Sequence, residues 1–415
     1  MNILHIASLL VVLAGAFGAV NYLFLRLPSA IGILIVALVA SFGLMLVDAL
    51  LPGLGLADQI RGGVRGIEFD ETLLEGMLGL LLFAGALHVK VADLKREWLL
   101  VLLMATLGVG LSTAIAGLGF AWIAGAPLLV ALVFGALISP TDPVAVLGVL
   151  RQASLPRTLE TKIAGESLFN DGVGYVVFLV LVGIAFPAGD AHGGGLAGAA
   201  QLFVQEAFGG AALGAALGWL TYRVMRRIDD PPLEVLITLA LAFGGYQLAV
   251  WLHVSAPIMA VVAGLLIGDV GTKYGMSAET RAHVDTFWTL VDEILNAVLF
   301  LLIGVEVFAV AFEASYVVAG LAAIVLHLLA RFVAVVVPVV VLKPFSGFED
   351  GITRIMTWGG LKGGISVALV LSLPDMEWKP LMLTCTYFVV LFSIIVQGLT
   401  VGRLATRVGN APTMV

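Results

Sequence analysis

With 61% of its 415 residues hydrophobic and only 12% charged, the chain could not cover its own surface as a water-soluble domain. Its formal net charge of -7 is spread through short loops, without an acidic or basic tail, and gives no reason to expect nucleic acid as a partner. The one cysteine, Cys385, sits in an apolar run, which rules out a disulfide framework and reads as a small buried side chain.

Apolar stretches of about 20 residues, enough to cross about 30 Å of hydrocarbon, recur along the whole chain and predict an all-α polytopic membrane protein with about 13 transmembrane helices. In chain order they fall near 3–25, 30–50, 72–89, 98–124, 127–150, 159–186, 196–222, 233–252, 255–268, 287–311, 316–342, 351–373 and 380–402. The first has no basic residue ahead of it and no small-residue cleavage site before Arg26, so it reads as a retained helix and not a signal peptide. Nothing is left over for a soluble regulatory domain, and 1–415 reads as one transmembrane unit. The glycine-containing stretch 56–71, GLADQIRGGVRGIEFD, is expected along the outer surface.

Basic residues of short loops stay on the cytoplasmic side, so their distribution orients the chain. Connections after odd-numbered spans, with the C-terminus, carry 16 of the 21 lysines and arginines, among them Lys90, Lys95, Arg96, Arg223, Arg226, Arg227, Lys273 and Arg281; the other side carries only Arg61, Arg65 and Lys379. The expected placement is a multi-pass protein of the cell (inner) membrane, N-terminus outside and C-terminus cytoplasmic.

Two spans are interrupted. The fifth holds SPTDP, Ser139 to Pro143, whose prolines remove backbone donors and clash with the preceding turn. The twelfth holds WGGLKGG, Trp358 to Gly364. The interruptions lie seven spans apart, and an odd offset sets the two helices running in opposite directions. That is the pattern of two inverted six-helix repeats with broken, crossing helices, here about 3–186 and 233–402, with the seventh span as connector.

A charge at mid-bilayer costs at least about 2.5–3.5 kcal/mol, so each one needs a partner or a task. The candidates are Asp142, Glu166, Asp171, Arg331 and Lys362, with Glu293 and Glu306 at less certain depth. In GESLFNDG, Gly165 to Gly172, helical spacing puts Ser167 and Asp171 on one face and Glu166 and Asn170 on the next. Asp171 and Ser167, with Thr141 at the first interruption, offer the oxygen ligands a small hard cation prefers. Asp142 suits the positive N-terminus of one half-helix and Lys362 the negative C-terminus of another. Glu166 and Arg331 are expected to pair across the sixth and eleventh spans. Asp171 is left without a cationic partner, and a carboxyl that holds a proton or a cation, but not both, couples the two by competition.

At SPTDPVAVLGVL (139–150), GESLFNDGVGYVVF (165–178), EILNAVLFLLIGVE (293–306), Arg331 and WGGLKGGISVAL (358–369) the chain resembles the monovalent cation:proton antiporters of the NhaP type, relatives of the animal sodium/proton exchangers. The resemblance covers nearly all of the transmembrane chain and implies the NhaA/NhaP-like fold and exchange of Na+ (or Li+) for H+ in the service of pH homeostasis. It further implies a homodimer in the lipid bilayer, with core elements about 72–186 and 316–402 moving against dimerisation helices in an elevator motion. By the same resemblance the ion sits at Asp171, Ser167 and Thr141, beside a stabilising Glu166–Arg331 pair, and no cofactor is needed. The pair Asn170-Asp171 resembles the electroneutral branch and implies one cation per proton. Two departures stand out: Ala84 in LLFAGAL (81–87), where many members carry an acidic residue, and Lys362 where arginine is usual.

Among rivals, K+/H+ exchange is open to the same residues. A channel would also need mid-depth polar groups, but no repeated filter loop is present. An intramembrane aspartyl protease requires a GxGD pattern that GLLIGD (264–269) lacks. Of six histidines, His327, four residues before Arg331, is the one placed to sense pH, while His88, His192, His253 and His283 lie near membrane edges.

Overall fold

The computed structural model describes residues 3–51, 69, 72–143, 146, 157–186, 195–344, 348 and 351–409. Over these residues the chain is helical with no strand. Bilayer chemistry requires this, because main-chain groups with no water to pair with are satisfied within helices. Eight described helices are long and apolar enough to cross a membrane, and two shorter apolar ones accompany them.

In chain order the helices are α1 (Ile3–Val20), α2 (Ser29–Leu50) and α3 (Leu78–Leu87). Helix α4 (Val91–Leu103) runs through a π turn, Met104–Gly108, into α5 (Val109–Ala124). Next come α6 (Leu128–Leu137), α7 (Arg157–Ala185), α8 (Gly195–Met225), α9 (Pro231–Trp251), α10 (Ala256–Leu266), α11 (Ala278–Val305) and α12 (Ala314–Leu342). The last part holds α13 (Ile352–Trp358), α14 (Gly364–Leu371) and α15 (Lys379–Leu391), then a π turn, Phe392–Gln397, and α16 (Gly398–Gly409).

Several helix starts are set by the local sequence. The side chains of Asp230, Ser255 and Ser277 accept hydrogen bonds from Leu233, Ile258 and Thr280 N–H and so cap α9, α10 and α11. Helices also overrun the apolar stretches: α4 begins at Val91 and not near 98, and α11 at Ala278 and not near 287. Their extra turns carry Asp93, Lys95, Arg96 and Glu97, or Glu279, Arg281 and Asp285, so basic groups expected in loops stand on helix ends. The stretch 56–71, with Arg61 and Arg65, lies outside the described residues except for Phe69, as do 144–150 except for Val146, Arg151 and His192.

Lipid tails are as apolar as leucine, so these helices are held by close packing more than by escape from solvent. Three apolar clusters result, and α7 contributes to each. Leu159 and Ile163 join a cluster with Ile31, Leu299, Met356 and Tyr387. Leu168 joins Phe83, Tyr246, Met259 and Trp288. Phe178 joins Phe120, Phe134, Leu369 and Met382. The helix that carries Glu166, Ser167, Asn170 and Asp171 is therefore a wall shared by all three clusters. At its start, buried Lys162 lies 3.6 Å from Glu97 of α4, which ties α7 to its neighbour.

The two interruptions are unwound and they meet. Helix α6 stops at Leu137, before Pro140 and Pro143, and residues 139–143 are not helical. Between α13 and α14 residues 359–363 are likewise unwound. Asp142 N–H donates to Leu361 O at 2.8 Å, which joins one break to the other.

Candidate functional site

Around this crossing the structure gathers most of the residues singled out by the sequence. Asn170 reads Thr141 twice: its Oδ1 accepts the Thr141 main-chain N–H at 3.2 Å, and its Nδ2 donates to Thr141 Oγ1 at 2.8 Å. Thr141 Oγ1 also lies 2.8 Å from Ser167 Oγ, a bond in which either hydroxyl can donate. Asn170 on α7 thus holds the unwound segment at both its main-chain N–H and its hydroxyl. Thr141, Ser167, Asn170 and Asp171 are all buried.

Asp171 lies one turn beyond Ser167 and is only 6% exposed. Its Oδ1 has no hydrogen-bond partner among the described residues. A buried carboxylate oxygen left this way is costly unless a proton or a cation occupies it.

The neighbouring charges have partners. Arg331 of α12 forks onto Glu166, with Nη1 donating to Oε1 and Nη2 to Oε2, the latter at 2.9 Å; Nη2 also donates to Met356 O at 2.8 Å. This two-point geometry belongs to arginine and ties α7, α12 and α13 together. The guanidinium passes directly over Gly360, where a Cβ would lie 2.7 Å from Nη2 and would push it from its place on Glu166. Lys362 Nζ donates to Ser139 O at 2.6 Å and Pro140 O at 2.9 Å, carbonyls left unpaired where α6 ends. Asp142 lies against Gly363, where a Cβ would meet its Cγ at 2.8 Å, at the N-terminal end of α14.

The remaining candidates fall elsewhere. Glu306 is buried in the 3-10 turn after α11, and Glu293 is exposed on α11. Ala84 of α3 is fully buried in the cluster with Phe83 and Trp288, so apolar packing fills the place where the resemblance implies an acidic residue in many members. His327 is buried one turn before Arg331, and its Nε2 has no partner among the described residues. Among those residues no group of three or more His, Cys, Asp or Glu is placed to hold a metal ion.

Sequence reasoning passed over four uncharged polar residues. Thr113 Oγ1 and Ser139 Oγ are 3.1 Å apart, with Ser139 Oγ donating to Gly135 O at 2.7 Å. Ser393 and Gln397, both fully buried, back the second break. The signal available was their i, i+4 spacing within an otherwise apolar run, FSIIVQGL.

Comparison with known proteins identifies the family and the fold. A family model described as sodium/hydrogen exchanger, transmembrane, matches residues 3–407. The Na(+)/H(+) antiporter NhaP of Pseudomonas aeruginosa is 47% identical over 403 residues, which cover 94% of this chain and 93% of that one. The Na(+)/H(+) antiporter NhaH of Halobacillus dabanensis is 37% identical over 343 residues, 82% of this chain and 84% of that one. In fold the chain is similar to the sodium proton antiporter MjNhaP1 from Methanocaldococcus jannaschii, with a TM-score of 0.78 at 18% identity over 99% of this chain and 100% of that one. An all-α polytopic membrane protein of this fold, matched to the family model over nearly its full length, the chain belongs to the transmembrane sodium/hydrogen exchanger family.

Proposed function

We propose that this protein is a secondary active antiporter, not an enzyme, that exchanges Na+ or Li+ for H+ across the bilayer, with Asp171 as the one carboxyl group both ions share. The observation that carries the assignment is the buried Asp171 Oδ1 without a partner among the described residues, one turn from Ser167 and beside the unwound segment of Thr141. A cation at Asp171 takes the carboxylate with the Ser167 and Thr141 hydroxyl oxygens as ligands, and Asn170 holds Thr141 in place. The ions are the substrates, and no cofactor takes part.

Coupling follows from charge. Asp142 with Lys362, and Glu166 with Arg331, cancel within the intramembrane set, so Asp171 decides its net charge. Loaded with either a proton or a monovalent cation the set is neutral, and empty it carries one negative charge. Moving that charge through the bilayer centre costs at least about 2.5–3.5 kcal/mol, which slows the empty carrier by about 70- to 400-fold. Both loaded forms carry the same charge, so turnover is electroneutral, one cation for one proton.

In this reading about 13 spans form two inverted repeats, 3–186 and 233–402, whose interruptions cross at the site. The core elements, 72–186 and 316–402, carry the ion past the remaining helices of a homodimer, with the N-terminus outside and the C-terminus cytoplasmic. Helix α3 forms the border of the core, since Phe83 packs on Trp288 of α11 while Gly85 faces Leu168 of α7.

The test is dissipation of a pH gradient in proteoliposomes on addition of Na+, Li+ or K+, for wild type and Asp171→Asn. Exchange with Na+ and Li+ that the variant loses entirely is expected. Exchange retained by a folded Asp171→Asn protein rejects the assignment, and a response to K+ alone replaces the cation.

A further inference from the structure

The second break is held by a pair of side chains that the exchange chemistry above does not use. Ser393 and Gln397 are the second and last residues of the π turn between α15 and α16, both fully buried. The Lys362 N–H donates to Ser393 Oγ at 2.9 Å, the Ser393 hydroxyl donates to Gln397 Oε1 at 2.7 Å, and Gln397 Nε2 donates to Trp358 O at 3.1 Å. Every direction in this chain is fixed, because a main-chain N–H can only donate and a main-chain carbonyl only accept, which leaves the amide one orientation. One side-chain pair therefore satisfies the carbonyl at the end of α13 and the N–H just before α14. In lipid no water is available to do so. Single π turns inside helices are frequent at functional sites.

The clip leads to the ion. The same Lys362 whose N–H it holds sends Nζ to Ser139 O and Pro140 O, the two carbonyls immediately before Thr141. Thr141 is in turn held by Asn170 and Ser167. We infer that Ser393 and Gln397 are positioning residues that set cation affinity by fixing the Lys362 backbone, and through it the Thr141 hydroxyl. This rests on the reading of Asp171, Ser167 and Thr141 as the ion's ligands.

A second tie between the same elements serves as control. Trp358 Nε1 donates to Thr400 Oγ1 at 2.8 Å, which links α13 to α16 without touching Lys362. The experiment titrates Na+ at several pH values in proteoliposomes for Gln397→Met, Ser393→Ala, Ser393→Thr, Thr400→Val and Asp171→Asn, with thermal melts of each protein. Gln397→Met and Ser393→Ala are expected to raise KM for Na+ about tenfold, with kcat changed less and the pH profile displaced. Ser393→Thr, which keeps the hydroxyl, restores KM to within about twofold of wild type, and Thr400→Val lowers the melting temperature but leaves KM in place.

A KM within about twofold of wild type in both Gln397→Met and Ser393→Ala overturns the inference, as does an equal rise in Thr400→Val. Should Gln397→Met not fold, Ser393→Ala against Ser393→Thr decides alone. If Asp171→Asn is inactive while the clip variants keep their KM, only the clip fails; if Asp171→Asn still exchanges, the ligand assignment fails first.

Discussion

Glu166 and Asp171 are carboxylates five residues apart on one buried helix, and the protein treats them in opposite ways. Glu166 is gripped at both oxygens by an arginine that also braces α13, and nothing in that arrangement is left open to exchange. Among the described residues Asp171 Oδ1 has no hydrogen-bond partner and no cation is paired with this carboxylate, while Ser167 stands one turn before it on the same helix. The contrast teaches that burial of a charge says little about its role until its partners are counted. A charge with a fixed partner is architecture, and one with a replaceable partner is a carrier.

The sharpest way to break this contrast is to neutralise each acid in turn. Asp171→Asn is expected to abolish exchange while melting close to wild type, read by gradient dissipation and by thermal melts in detergent. Glu166→Gln leaves a guanidinium buried without its counter-charge and is expected to cost about 3–5 kcal/mol of stability. The measurement is the yield of folded protein and its melting temperature. Replacing both partners, Glu166→Gln with Arg331→Met, is expected to recover much of that loss, because an apolar substitute needs no partner. If the double variant folds well and exchanges ions, the pair is architecture alone.

Smaller effects sharpen the carrier side. Competition at one carboxyl requires the KM for Na+ to rise as pH falls, by up to about tenfold per unit, with the maximal rate little changed. A fall in maximal rate at constant KM would mean that protons act elsewhere, and buried His327 is then the first residue to replace. Thr141→Val keeps the shape of the side chain but loses its oxygen, and raises KM for Na+ by about tenfold with the pairing of Glu166 intact. Glu293→Gln, on an exposed face, is expected to leave all of these quantities alone.

The sequence carried much of this because charges are so scarce in an apolar chain that each one marks a position worth explaining. Glu166 with Arg331, and Lys362 with a broken helix end, were legible from the cost of an unpaired charge alone. The prolines of SPTDP and the glycines of WGGLKGG likewise announce where backbone stops being helical. Less legible were the helix ends, because hydropathy follows the lipid-facing run and ignores amphipathic turns such as those bearing Lys95 and Glu97 on α4. Ser393 and Gln397 escaped for a related reason. A search for charges passes over neutral polar groups, although in lipid an amide that links two main-chain groups does comparable work.

The hydrogen bond from Asp142 to Leu361 stitches the two unwound strands into one piece. In the proposed elevator motion, a binding pocket carried whole, its walls sewn together and not reassembled at each end of the journey, offers the same grip to a passenger boarding from either compartment. Such a machine has no preferred direction of its own. Whichever of the two concentration differences is steeper decides whether sodium leaves the cell or enters it.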